Sequence, residues 1–366
     1  MKALDKNNSQ FTHRLLFNGY PCMNEVCLHS VLLDKPRDKY DSEHIYYDDY
    51  YGRFYEGRFL NKVTAVYGEP ISLYNHGATI HLPIVDRLQV PYRLIPIYQA
   101  NCLDEIKEAI KQMEDYSSNS TFLFRGQNRI HLLERGDEEK IELYGHSDVK
   151  EPSFLPTFQR KSLDYDETVS VWHNVCALLI NELVKESSNQ KRIDDLLSYR
   201  NTEWFHALAL GLAQHYGLPS IGLDLTNDLM VALWFAIYHA HYSNREPVSA
   251  DLLSDDNNEA TIFVFGCSRL SVFKYPDFEQ YAGAHRPIAQ KAYFNHCGWG
   301  LSKNQLALSL VCGFRVNSSF SKVLPDNFIR HLFPSVEEDR VLRILLKIKE
   351  LYHGTVLGEM LDYIYL

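Results

Sequence analysis

Arg125 closes a short apolar run, Phe122-Leu123-Phe124, and is followed by Gly126 and Gln127. A guanidinium at the end of a buried strand is expensive to place unless it meets an anion, either a carboxylate of the protein or a phosphate of a ligand. A second polar patch lies further along, in Ala213-Gln214-His215-Tyr216-Gly217-Leu218-Pro219-Ser220-Ile221-Gly222-Leu223-Asp224-Leu225-Thr226. Asp224 falls inside an apolar strand, where an ionised carboxylate needs a partner, and Arg125 is the natural one. Two accounts of the pair stand: a structural ion pair, or an anion-binding arginine beside a carboxylate. His215 ends a helix next to Tyr216 and suits a general base, a ligand donor or a C-terminal cap. Gly126 lets a ligand or another backbone come close to Arg125.

The elements that must position these residues follow from periodicity. Leu103, Ile106, Ile110 and Met113 recur at helical spacing between Cys102 and Tyr116, so an amphipathic helix leads into a strand over Thr121 to Arg125. Arg129 to Lys150 is polar and reads as a loop or a solvent-facing hairpin around Ile141 to Tyr144, a lid or insertion. Glu167 to Lys185 and Glu203 to Tyr216 carry helical spacing, and Gly217-Leu218-Pro219 stops the second. A short strand, Ile221 to Leu225, then meets Thr226-Asn227-Asp228, which offers caps to a helix from Leu229 to about Tyr242. Asp251 to Glu259 reads as an acidic loop, Ala260 to Cys267 as a strand, and two late helices as Asp326 to Leu332 and Val336 to Leu351. Residues 1 to about 98 alternate apolar and polar in places, as in Thr64 to Tyr67, and predict a separate β-rich region.

At 366 residues the chain exceeds what one core usually serves. It is 45% hydrophobic and 13% aromatic, with no long charge-rich tract, so it should fold throughout. A net charge of −10 argues against a broad non-specific grip on nucleic acid but leaves room for a local basic groove. The longest wholly apolar run, Leu229 to Ile237, is about half of a membrane span. With no leader-like segment in view, the expected setting is cytoplasmic, away from membranes. Seven cysteines, with Cys22 and Cys27 the one close pair, fit reduced thiols there. His285, His296 and Cys297 lack the paired spacing of a zinc site, so no metal is assigned.

Phe124-Arg125-Gly126 and the Ala213 to Thr226 stretch resemble the FRG domain family, which is named for its Phe-Arg-Gly tripeptide. Leu155-Pro156-Thr157-Phe158 with Arg160 is similar to that family's Leu-Pro-Ser-Leu-Phe-Arg element, and Val231 to Ala236 to its Val-Ala-Leu-Phe-Phe-Ala helix. Arg286 with Gln290, Ala292 and Phe294, and Leu332 to Ser335, resemble later elements, so the resemblance spans roughly Thr121 to Leu351. Ile221 and Leu225 depart from it, standing where the family has arginine and tryptophan.

The resemblance implies an α+β domain over residues 101–366, a mixed sheet with flanking helices. The strand carrying Arg125 and Gly126 also resembles the one that opens ADP-ribosyltransferases of the arginine, serine, glutamate type. That likeness implies NAD as substrate and ADP-ribosyl transfer or NAD hydrolysis. Arg125, with Gly126 and Gln127, would anchor the pyrophosphate. Tyr216 or His215 would wall or orient the nicotinamide, and Gln290 or Asp224 would hold the ribose, with Thr226 nearby. Gln290 could equally stitch a loop to the sheet. The alternative is a non-catalytic module that binds a nucleotide or a nucleic-acid end and signals to a protein partner.

Overall fold

The computed structural model describes three short strands early in the chain and most of residues 80–366, leaving out 91–92, 117–120, 145, 161–164, 201–210, 221, 255, 257–258, 268–271, 274–281 and 297–303. The early strands are β1 (Lys2–Ala3), β2 (Ile45–Asp48) and β3 (Arg53–Glu56), paired in that order. The Cys22 and Cys27 pair, the Thr64 to Tyr67 alternation and Ile221 lie outside the described residues, as does most of the expected helix from Glu203.

The fold is α+β, as expected. Strands β4 (Ile84–Val90), β5 (Arg93–Gln99), β6 (Thr121–Gln127), β7 (Gly222–Thr226), β10 (Thr261–Cys267), β11 (Val272–Phe273), β12 (Ala292–His296) and β13 (Leu310–Arg315) form one eight-stranded sheet in the order β11-β12-β7-β6-β10-β13-β5-β4. All neighbours are antiparallel except β13 and β5. The expected boundary near residue 98 therefore falls inside the sheet. Ile97 and Tyr98 of β5 lie opposite Gly313 and Phe314 of β13, so β4 and β5 belong to the main core. Their buried residues explain why: Leu88, Val90, Ile95 and Ile97 join Leu123, Phe263 and Phe265 beneath the sheet.

Strand alternation sends Phe122 and Phe124 of β6 to one face and Leu123 to the other. The first face is covered by α1 (Leu103–Tyr116) and, further along the chain, by the helix that follows β7. Helix α1 starts where Glu105 accepts from the Asn101 backbone N–H at 2.8 Å, a side-chain reach back to the helix start. On the opposite face Phe154 stands edge-on to Phe263 and Phe265, each 5.1 Å away. Along the chain between β6 and Phe154 comes α2 (Asp137–Tyr144), a short helix where a loop or hairpin was expected. The surrounding segment is pinned, because Arg135 and Glu151 form a fully buried pair at 2.6 Å and Leu132 bridges Pro152. A lid hinged at Arg129 would have to break that buried pair.

After α3 (Thr157–Arg160), α4 (Tyr165–Lys185) and α5 (Gln190–Arg200), the chain returns through β7 to α6 (Leu229–Ile237). Asp228 caps α6 by accepting from the Met230 N–H at 2.8 Å. The helix ends at Ile237, short of the expected Tyr242. From Tyr238 the chain alternates as strand β8 (Tyr238–His241), with His239 and His241 outward, and pairs with β9 (Ser249–Leu252), where the start of an acidic loop was expected. The short α7 (His285–Ala289) and α8 (Phe328–Leu332) follow. Helices α9 (Arg340–Leu351) and α10 (Val356–Leu361) pack on α4 and on Leu212, Ala213 and Tyr216, forming a separate helical core. No helix of the described residues is long and apolar enough to cross a membrane.

Candidate functional site

Strands β6 and β7 are neighbours in the sheet yet pair at a single position, Phe124 opposite Thr226. Each is otherwise zipped to its other neighbour, β6 to β10 along seven residues and β7 to β12 along five. After Phe124 in β6, and before Thr226 in β7, the two strands no longer pair and leave an opening in the sheet. The cavity there is about 160 Å³, and Arg125, Asp224, Phe235, Tyr242, Gln290 and Tyr365 line it.

Arg125 and Asp224 meet in this cleft, through different atoms from those expected. Arg125 Nη1 donates to the Asp224 backbone carbonyl at 2.6 Å. The Asp224 carboxylate instead accepts from Gln214 Nε2 at 2.7 Å and lies 3.5 Å from His215 Nδ1. About a third of the Asp224 side chain stays accessible, so its carboxylate faces the opening. Burial lowers the pKa of His131; Arg129, Arg160 and Arg125 lower it further, and Glu259 opposes them.

Residues 120–245 match the FRG domain family. No curated protein and no solved structure matches the chain, so the likeness to ADP-ribosyltransferases gains no support from comparison. The match covers both polar motifs of the FRG segment but stops before Arg286 and Leu332 to Ser335, which resembled later elements.

Within the FRG segment, several residues proposed for ligand contact are occupied by the fold. The Tyr216 hydroxyl, fully buried, donates to the Asp339 carboxylate, 2.8 Å from each oxygen, and so is no wall of the cleft. Thr226 lines the cleft, but its hydroxyl donates to the Gln290 carbonyl and accepts from the Asp228 N–H. Gln290, beyond the segment, uses its amide to reach the Leu332 carbonyl at 3.1 Å, the stitching role left open for it. Gln127 faces Thr261 across β10 and is not among the cleft residues. Gly126 borders the cleft, yet its missing side chain makes room for the backbone of α6.

His215 is buried behind Asp224. Burial lowers its pKa below the usual 6.5, the nearby Arg286 adds to the effect, and Asp224 opposes it. His215 is therefore neutral at neutral pH and hands Asp224 no positive charge. As the pH falls below about 6.5 the unfolded chain takes up a proton that folded His215 refuses. Stability is thus fully present above that value and lost on acidification, with a slope of up to about 1.4 kcal/mol per pH unit. Urea unfolding at about pH 5 and about pH 7.5 should show this loss, and His215→Gln should shrink it. An unchanged difference would assign the acid sensitivity elsewhere, His131 being another histidine among the described residues whose pKa is lowered.

Sequence reasoning missed the aromatic wall. Phe235 sits on the cleft face of α6, Tyr242 follows β8, and Tyr365 arrives from a segment more than a hundred residues beyond. The Tyr242 and Tyr365 rings lie 4.5 Å apart. No local pattern marks Tyr365, which reads as one of two tyrosines in Leu361-Asp362-Tyr363-Ile364-Tyr365. Among the described residues no group of three or more His, Cys, Asp or Glu side chains is placed to hold a metal ion.

Proposed function

We propose that the cleft of the FRG segment binds one end of NAD and breaks the bond between nicotinamide and ribose, passing ADP-ribose to an acceptor or to water. The observation that carries this reading is the convergence of one guanidinium, one accessible carboxylate and aromatic rings on a single opening between two splayed strands. Its polar and apolar parts suit the three parts of such a substrate. Arg125 takes a pyrophosphate oxygen, Asp224 accepts from the ribose hydroxyls, and Phe235, Tyr242 or Tyr365 stacks on the nicotinamide.

As the C–N bond breaks, nicotinamide leaves with the bonding pair and positive charge grows on the ribose. The Asp224 carboxylate, held by Gln214, opposes that charge at a fixed place, which is what lowers a barrier. Water or an acceptor then bonds to the anomeric carbon and gives up a proton. A volume of about 160 Å³ is below the roughly 300 Å³ at which sites for whole small molecules begin, so the opening as it stands admits one end of the dinucleotide.

Pure protein incubated with NAD should release nicotinamide. Asp224→Asn should lower kcat about a hundredfold or more, the scale for removing one preorganised electrostatic contact. Arg125→Ala should weaken NAD binding by about tenfold to a hundredfold, the worth of a hydrogen bond to a charged group. Its melting temperature decides what was lost: little change with weakened binding assigns Arg125 to the ligand, and a collapse assigns it to the fold. A second reading, a nucleotide-binding module without turnover, is favoured by one feature: Asp224 is the sole acid among the described residues lining the cleft. NAD binding without nicotinamide release would select it. Neither binding nor release would sink both.

A further inference from the structure

Arg286 has no exposed surface, and its guanidinium is enclosed by rings rather than carboxylates. Its central carbon lies 4.9 Å from the Tyr216 ring centroid, 4.7 Å from that of Tyr365 and 5.5 Å from that of Phe333. Nη1 donates at 3.4 Å to two carbonyls, those of His215 and Tyr365. Nε and Nη2 have no acceptor among the described residues. Buried polar groups are nearly always paired, and a guanidinium has five donors to place, so the π-faces that hold this charge leave its hydrogen bonds unmade.

Tyr365 separates this guanidinium from the cleft: its ring lines the cleft and also covers Arg286. Besides the long contact from Arg286 Nη1 to the Tyr365 carbonyl, the segment that carries it is held by neutral hydrogen bonds. Tyr365 donates from its N–H to the Tyr216 carbonyl and from its hydroxyl to the His215 carbonyl, both at 3.1 Å. Leu366 donates to the Ser243 carbonyl at 3.0 Å. The second polar motif is shaped to receive this strap. Gly217 has φ +109°, and a Cβ there would come 2.3 Å from the Tyr363 carbonyl and 2.8 Å from the Tyr365 ring.

We propose that Arg286 is a second anion-binding group of the cleft, covered by Tyr365, and that a ligand phosphate displaces the Tyr365 ring to reach its Nε and Nη2. This rests on the cleft being a ligand site, and it accounts for the small opening, since moving one phenol would extend the cavity toward a second guanidinium. Arg125 and Arg286 would then hold neighbouring phosphates, from a nucleotide or from free pyrophosphate.

The test is calorimetric titration, in the absence of NAD, of inorganic pyrophosphate and of ADP-ribose into wild type, Tyr365→Ala, Arg286→Met and the double variant. Uncovering the guanidinium should tighten pyrophosphate binding about tenfold or more in Tyr365→Ala, the worth of a charge-assisted hydrogen bond, and Arg286→Met should abolish the gain. Matching behaviour of ADP-ribose identifies the phosphate as a nucleotide's, and a gain for pyrophosphate alone identifies a free anion. An unchanged affinity in a Tyr365→Ala protein that melts like wild type overturns the proposal, as does a gain that survives Arg286→Met. If Tyr365→Ala does not fold, Tyr365→Leu takes its place, since it keeps an apolar side chain while removing the ring that covers Arg286, and its gain must again vanish with Arg286→Met. Because the readout is binding of these probes, a failure to release nicotinamide from NAD does not touch this result.

Discussion

Asp339→Ala is expected to unfold the helical core that backs the candidate site. Asp339 has no exposed surface, and its two oxygens accept from three donors: the Tyr216 hydroxyl, 2.8 Å from each oxygen, the Arg286 backbone N–H at 2.8 Å and the Leu342 N–H at 3.1 Å. It is at once the N-cap of α9 and the joint between the second polar motif and the strand-leading turn at Arg286. Losing a cap alone costs about 1 kcal/mol. Leaving buried donors without acceptors costs about 1 to 3 kcal/mol each, though not additively. A total on the order of 3 to 5 kcal/mol is a large fraction of what a domain has to lose. The urea midpoint should fall accordingly. Asp339→Asn, which keeps one acceptor oxygen, should lose less, and equal losses in the two variants would show that the hydrogen bonds were not the cause.

A comparable effect is expected from the smallest substitution in the Phe-Arg-Gly tripeptide. In Gly126→Ala the new Cβ would lie 1.8 Å from the Ala232 carbonyl oxygen and 2.6 Å from the Ala236 nitrogen, both backbone atoms of α6. Neither can rotate away, so the helix must lift off β6, taking the cleft residue Phe235 with it. Overpacking of this kind costs about 3 kcal/mol or more where backbone has to move. Gly136→Ala, with nothing within 4 Å of the added carbon, is the matched control and should stay within about 0.5 kcal/mol of wild type. Thermal melts of the two variants side by side are decisive. Equal melting temperatures would mean that α6 does not sit on Gly126 as the structure has it.

That second case shows what periodicity and residue type can convey. A glycine beside a candidate anion-binding arginine signalled close approach, and it was correct that something approaches, but the sequence had no means of saying that the neighbour is a helix. The local elements were legible because their signals are local: α1 from Leu103, Ile106, Ile110 and Met113, and α6 from its Asp228 cap. The end of α6 was not, since Tyr238 to His241 has no helix breaker and becomes a strand only because Ser249–Leu252 lies alongside to pair with it. At the site, Arg125 and Asp224 were legible as polar groups in apolar strands. Their mutual geometry was not, because which atom of Asp224 meets the guanidinium depends on how far β6 and β7 splay. Arg286 was legible only as part of a family-like element and Tyr365 not at all, as their meeting depends on how the segment after α10 docks beside His215 and Tyr216.

The parallel pairing of β5 with β13 has a consequence for how the chain is made. Ile97 and Gly313 are opposite each other in the finished sheet. With roughly two hundred residues still to be translated at about 5 to 20 per second, the β4–β5 hairpin waits on the order of ten seconds or more for its partner strand. Throughout that interval its inner edge offers unpaired N–H and C=O groups beside the apolar side chains of Ile95 and Ile97, a template for joining another nascent chain. Slow translation near β13 should therefore lower the yield of native protein, and a chaperone that covers strand edges should restore it.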